Sequence, residues 1–525
     1  MSNYQKLDSY SAYQSKWLKW LKWLKWLKWL LSDLSFSLRK IIIPDLITQT
    51  PLLGEGILMN TNTENLRIKR EHGARLFSNN LAGTIIEISR KEKHKWLLKS
   101  FEKQTDATVL KKWTGWDKLN ETYVEVPTTQ FLTSKNQFII TSEKDGFNHL
   151  YLYDISGKLI NQITKGKWDV SHFYGVDEKK GLVYYQSAEL SAIDRQVYAI
   201  KINGSAKKRL NTQNGQNRAD FSTSFKYFIN YHSSASSPKH ITLHNASGKK
   251  LRVLEDNAAL NKTLAGYNFS PKQFFTIKAN GNELNAWKIL PTNFDASKKY
   301  PVLMYVYGGP GINTVNDSWD GGNTFWFNHL ASKGYIVVSV DARGTGYRGA
   351  EFKKTTYKQL GKYETEDQIA AAKYLATLPY VDGSRIGIFG WSYGGYMSSL
   401  CITKGADVFK TAIAVAPVTN WRYYDNIYTE RYMQTPQENE TGYDENSPIN
   451  HVEKLKGNYL LIHGMADDNV HYQGTERLVN ELIKHNKIFS MMAYPNRSHG
   501  IYEGENTSRH LRELLTNYLM TNLIF

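Results

Sequence analysis

Ser392, Asp467 and His499 have the types, order and flanking sequence to do chemistry together. A serine hydroxyl is a poor nucleophile until a base takes its proton, and an imidazole held by a carboxylate is such a base near neutral pH. Ser392 lies in Gly390-Trp391-Ser392-Tyr393-Gly394, between the apolar run Arg385 to Phe389 and a helix-like stretch from Gly395 onward. That setting reads as a strand, a sharp turn and a helix that lift Oγ toward a base, with glycines where side chains would clash. The pattern is short and also occurs in ordinary turns, so its partners must be found elsewhere. Asp467 lies in the loop His463 to Val470, after the apolar run Tyr459 to Ile462, and His499 lies in Pro495 to Gly500, after Ile488 to Tyr494. His499 would take the Ser392 proton and return it to the leaving amine, while Asp467 would hold the imidazole tautomer. Asp468 is a competing acid, and spacing does not choose between the two neighbours. His463 precedes a glycine turn and His471 follows the acid loop too closely, so both read as structural or substrate-edge residues.

The elements that must position these residues alternate. Pro301 to Val306, Tyr335 to Val340, Arg385 to Phe389, Thr411 to Ala416, Tyr459 to Ile462 and Ile488 to Tyr494 read as buried strands, and Glu364 to Leu378 as an amphipathic crossover helix. The predicted architecture is a mostly parallel sheet covered by helices on both faces, and the order serine, acid, histidine is that of the α/β-hydrolase fold. The Tyr307-Gly308-Gly309-Pro310-Gly311 turn lies where such folds place an oxyanion-hole loop.

Four stretches sharpen this picture: Gly390 to Tyr396, Val415 to Trp421, Tyr428 to Met433 and His463 to His471. In order and spacing they resemble the prolyl oligopeptidase family, in its dipeptidyl peptidase IV branch, and the likeness covers about 280 to 525 densely. The resemblance implies that Asp467 is the triad acid, and that the Tyr307 hydroxyl and the Tyr393 backbone N–H form the oxyanion hole. Trp421, Tyr423, Tyr424, Tyr428 and Tyr432 read by themselves as an aromatic cluster of the kind that packs cores. By resemblance, Tyr393, Val418, Trp421, Tyr424, Tyr428 and Val470 line a pocket for proline, or less readily alanine, and Asn469 binds the carbonyl of the preceding residue.

Upstream, His149 to Lys158, Gln196 to Gly204 and His240 to Gly248 repeat a strand and a glycine turn, with glycines 47 and 44 residues apart. The period suits four-stranded propeller blades, with Ile85 to Lys99 as a weaker fourth copy. The resemblance implies eight blades, so an incomplete propeller is expected. It also implies a pair of neighbouring glutamates that captures the substrate's free α-amino group. No such pair stands in a comparable context, and Glu189 stands alone.

Residues 16 to 31 repeat Lys-Trp-Leu five times. A three-residue repeat drifts about 60° per unit around a helix, so its lysines give no stable apolar face. The tract is too short to span a bilayer, and each central lysine would cost about 3 kcal/mol there. It reads as low-complexity sequence in preference to a membrane-surface contact. The chain of 525 residues is 41% hydrophobic, which supports two buried cores. The net charge of +17 comes with no nucleic-acid motif and reads as general surface charge. Cys401, the single cysteine, rules out an internal disulfide. Met1 to Gln14 lacks the pattern of a secretory signal. No metal-ligand spacing or phosphate loop is visible, and the chemistry needs no cofactor.

The expected organisation is an atypical segment over 1–59, a partial β-propeller over 60–280 and an α/β-hydrolase domain over 281–525. The expected activity is a serine peptidase acting on peptides, releasing N-terminal X-Pro or X-Ala dipeptides. The alternatives are an oligopeptidase or acyl-aminoacyl hydrolase of the same family, and a non-catalytic remnant with a damaged propeller. Relatives in the family often dimerise and work in the periplasm or at cell surfaces; the sequence itself assigns no location.

Overall fold

The computed structural model describes residues 122–523 apart from Val124, Val126 and Thr133, and upstream of these only strands between Glu55 and Thr114. The Lys-Trp-Leu tract lies outside the described residues. Eight strands form the C-terminal sheet: β1 (Lys272–Ala279), β2 (Asn282–Ile289), β3 (Tyr300–Val306), β4 (Ile336–Val340), β5 (Val381–Trp391), β6 (Phe409–Val415), β7 (Asn458–Gly464) and β8 (Ser490–Tyr494). They lie in the order β1-β2-β4-β3-β5-β6-β7-β8. From β4 to β8 every pairing is parallel, whereas β1 and β2 form an antiparallel hairpin at the edge. The sheet thus takes in β1, which lies upstream of the boundary expected at 281.

The parallel strands read as unbroken apolar runs because both faces are covered. Val302, Met304, Ile386 and Ile388 pack toward helices α2 (Lys362–Ala376) and α3 (Tyr393–Lys404), while Leu303, Val337 and Phe389 pack toward α1 (Gly322–Ser332) and α5 (Thr507–Asn522). Ile386, Ile388 and Phe389 are at most 2% exposed, and each such side chain contributes roughly 1.5–3 kcal/mol by leaving water. Two cores therefore clamp β5, the strand that delivers Ser392.

Before this sheet come three antiparallel four-stranded sheets, over Thr129–Gln162, Val170–Arg209 and Gln216–Glu255. His149–Asp154, Gln196–Lys201 and Ser237–Asn245 are each the third strand of their sheet. Gly157, Gly204 and Gly248 follow them at φ of 91°, 83° and 88°, a left-handed turn into the fourth strand that glycine adopts without strain. The repeat in the sequence is this third strand and its turn. Upstream strands form another four-stranded sheet over Arg75–Thr114, which contains the weaker fourth copy, and a two-stranded sheet. The N-terminal part is accordingly all-β and propeller-like, with four four-stranded sheets among the described residues.

An ionic cluster, buried at Glu143 and Lys354 and partly exposed at Glu125 and Arg431, ties the Thr129–Gln162 sheet to the hydrolase part. Lys353 Nζ lies 2.5 Å from Glu143 and 3.0 Å from Glu125, and Lys354 Nζ lies 2.7 Å from Glu143. Arg431, on α4 (Asn426–Met433), reaches Glu125 at 3.2 Å, and Tyr123 packs edge-on against Tyr432 at 4.8 Å. The helix that carries Tyr428 is thereby braced from the propeller side. Where the cluster is buried, removing one partner strands the other charge.

Candidate active site

The turn after β5 is built by close approach. A Cβ at Gly390 would lie 2.3 Å from the Gly394 backbone, and one at Gly394 would lie 2.2 Å from the Val306 carbonyl. Ser392 itself takes φ 59° and ψ −118°, a conformation that costs a non-glycine residue on the order of 1–3 kcal/mol. It caps α3, so the first N–H groups of that helix, beginning with Tyr393, lie beside the hydroxyl without intrahelical partners. β3 runs into the same place and ends just before Tyr307, whose ring lies 5.9 Å from that of Tyr393. Burial raises the Tyr307 hydroxyl above its usual pKa, which keeps it a proton donor near neutral pH.

His499 Nδ1 lies 2.7 Å from Asp467 Oδ2. The Trp391 indole donates to the His499 carbonyl at 2.9 Å, tethering the histidine loop to the residue before the serine. Asp467 is 5% exposed, while Asp468 points outward and is exposed, so the structure separates the two acids that spacing left open. Asp467 Oδ1 accepts the N–H groups of Asn469 and Val470, each at 2.9 Å, and Oδ2 also meets His463 Nε2 at 3.1 Å. Burial alone would raise its pKa; the hydrogen bonds from His463 and His499 and the charge on His499 outweigh burial and hold the carboxyl well below the carboxylate range. Among the described residues the Ser392 hydroxyl makes no hydrogen bond.

Beside the serine, aromatic rings stack into a box. Trp421 lies 5.5 Å from Tyr393, 5.7 Å from Tyr428 and 5.8 Å from Tyr424, and Tyr424 meets Tyr428 edge-on at 5.3 Å. Val418 and Val470 are buried in the same core, at 4% and 5% exposure. Tyr424 Oη donates to Asn469 Oδ1 at 2.8 Å, which leaves the Asn469 amide N–H groups to donate elsewhere. Tyr423 turns away and lies under the Arg477 guanidinium, 4.4 Å from its ring centre. Glu189 pairs with Lys207.

Sequence reasoning passed over Glu364. It is fully buried, caps its own helix by accepting the Gly361 N–H at 3.0 Å, and accepts the Tyr393 hydroxyl at 2.7 Å. Burial pushes its carboxyl up to about 7, against a partial lowering by those hydrogen bonds. The folded chain thus holds this proton more tightly than the unfolded chain, so stability falls as pH rises from 4.5 and the loss is complete above about 7. Glu364→Gln, which cannot ionise, is expected to gain on the order of 3 kcal/mol on wild type between about pH 4 and about pH 8, read from urea midpoints. A gap that stays constant with pH would contradict this.

Residues 323–523 match the prolyl oligopeptidase family, and 78–239 match the dipeptidyl peptidase IV N-terminal region. The chain is 39% identical over 403 residues to a protein described as probable dipeptidyl-aminopeptidase B of Arthroderma benhamiae, covering 74% of this chain and 44% of that one. It is 36% identical over 381 residues to a probable dipeptidyl peptidase 4 of Aspergillus flavus, covering 70% and 49%. The chain spans about half the length of the curated relatives it matches. The crystal structure of Porphyromonas gingivalis dipeptidyl peptidase 4 superposes with a TM-score of 0.77 at 43% identity, covering 84% of this chain and 62% of that one. With both parts matched in order, the chain belongs to the prolyl oligopeptidase family, in its dipeptidyl peptidase IV branch.

Proposed function

We propose that the chain is a serine peptidase in which Ser392 attacks the peptide carbonyl, forming an acyl-enzyme that water then hydrolyses. The observation that carries the reading is the 2.7 Å bond from His499 to buried Asp467, on a loop tethered by Trp391 to the strained serine turn. In the proposed step, the Ser392 proton passes to His499 and on to the leaving amine, while Asp467 keeps the imidazole oriented and stabilises its charge. The Tyr393 N–H and the Tyr307 hydroxyl stabilise the oxyanion. Tyr307→Phe is expected to lower kcat by about 10²- to 10³-fold, near 3 kcal/mol, with little change in KM. A comparable loss confined to KM would remove Tyr307 from that role.

The substrate reading is a peptide whose second residue is proline, or less readily alanine. A pyrrolidine ring against Trp421, Tyr424 and Tyr428 buries apolar area without needing a donor. Asn469 has amide N–H groups to offer the preceding carbonyl. Release of dipeptides further requires an anchor for the free α-amino group, and Glu189 is engaged by Lys207. That pairing favours, as a second reading, an oligopeptidase or acyl-aminoacyl hydrolase. Comparison of Gly-Pro-anilide with its N-acetylated form decides between them. A dipeptidyl peptidase should cleave the blocked form at least tenfold more slowly, as loss of a charge-assisted hydrogen bond demands. Equal rates would assign the second reading.

A further inference from the structure

We propose that His463 is a positioning residue for the Asp467–His499 pair. The inference rests on the reading of Ser392, His499 and Asp467 as nucleophile, base and acid. His463 is the penultimate residue of β7, four residues before Asp467, and is 0% exposed. Its Nε2 faces two acceptors, Asp467 Oδ2 at 3.1 Å and the Val470 carbonyl at 2.8 Å, so that nitrogen carries a proton and donates. Its Nδ1 meets the buried Thr475 hydroxyl at 2.7 Å, and this hydroxyl makes no other hydrogen bond among the described residues. Thr475 thus fixes the ring so that Nε2–H points at the carboxylate.

The result is a carboxylate held on four sides. Oδ1 takes two backbone N–H groups, and Oδ2 takes two imidazoles, one from β7 and one from the loop after β8. With both oxygens occupied, the carboxylate cannot rotate about its Cβ–Cγ bond without losing several donors at once, and Oδ2 stays aimed at His499. The second imidazole also withdraws charge from the oxygen that His499 feels. Other titratable groups nearby do not share this task. Asp468 is exposed, Tyr472 packs edge-on against His463 at 5.6 Å, Arg497 engages Thr507, Glu503 engages Ser498, and Tyr424 engages Asn469.

Two consequences follow for a variant that keeps the shape and loses the donor. The freed Asp467 misplaces His499, so kcat falls by on the order of 10- to 100-fold. Asp467 Oδ2, no longer shared with a second donor, also becomes the stronger acceptor, so the acid limb of the kcat/KM profile moves upward. A purely structural histidine would not move that limb.

The experiment compares His463→Leu and His463→Met, which lack the donor, with His463→Gln, whose amide nitrogen reaches the same place. Each is assayed for pH dependence on Gly-Pro-anilide and for Ser392 labelling by a fluorophosphonate. The expected result is an upward-shifted limb and a reduced kcat in either apolar variant that folds, with both restored toward wild type in the Gln variant. An unmoved limb in a folded apolar variant overturns the proposal. So does a Gln variant that keeps its fold with a limb displaced from the wild-type position, because a restored donor should restore the limb whether or not the apolar variants fold. Absence of labelling in the wild type would instead sink the parent reading, so the two failures are distinguishable.

Discussion

Ser392→Ala is expected to lower kcat on Gly-Pro-anilide by on the order of 10⁶-fold and to leave the thermal midpoint nearly unchanged. The hydroxyl makes no hydrogen bond among the described residues, so its removal breaks no contact of the fold. Alanine inherits the same strained backbone, φ 59° and ψ −118°, which is imposed by the Gly390 and Gly394 contacts and not by the serine side chain. What remains should be the modest catalysis of the oxyanion donors and the binding pocket acting on attack by water. A fall smaller than about a hundredfold would mean that Ser392 is not the attacking group.

Asp467→Asn carries the second-largest expected effect, a loss of about 10⁴-fold in kcat, with Asp468→Asn within a few-fold of wild type. An amide in place of the carboxylate can present its NH₂ to His499 and so impose the wrong tautomer. It also leaves the backbone N–H groups of Asn469 and Val470 and the His463 donor competing for one oxygen. Stability should follow with a definite sign. The folded carboxyl lies below its unfolded value of 3.8, so the stability it supplies is present above that pH and is lost as pH falls through the folded value. The deficit of the Asn variant in urea midpoint is therefore expected to be full at pH 7 and to shrink in strong acid. Equal kinetic losses in the two variants would contradict the separation of the two acids.

The legible parts of the fold were those where one local pattern had one cause. Strands β3 to β7 are apolar runs because both faces are buried, and each was visible as such. The β1–β2 hairpin was not, because it is an edge: β1 leaves Gln273, Phe274 and Thr276 exposed, and β2 interleaves Asn285 and Lys288 with its buried residues. In the blades, only the third strand and its left-handed glycine stood out, since the left-handed glycines of other turns, Gly146 and Gly181, do not recur from blade to blade. For the site, chain order offered Ser392, an acid and His499. The choice of Asp467 over Asp468 came from family likeness and, in the structure, from the inward turn of the loop. The contact of Glu364 with Tyr393 and that of His463, which reads as structural or substrate-edge in the sequence, with the Asp467–His499 pair are hidden for the same physical reason. Glu364 meets a tyrosine 29 residues later, across a strand and a helix, and His463 meets a histidine 36 residues later, through one carboxylate. Neither meeting leaves a periodicity in the sequence.

The central claim is that Ser392 is a working nucleophile activated by His499. Its most direct test is mass spectrometry of the native chain after exposure to a fluorophosphonate, with Ser392→Ala and His499→Gln alongside. The account predicts a single adduct on Ser392 in the native chain, none in the alanine variant, and a strongly slowed reaction in the glutamine variant. A native chain that stays unmodified, or one that is modified elsewhere with Ser392 untouched, would contradict it.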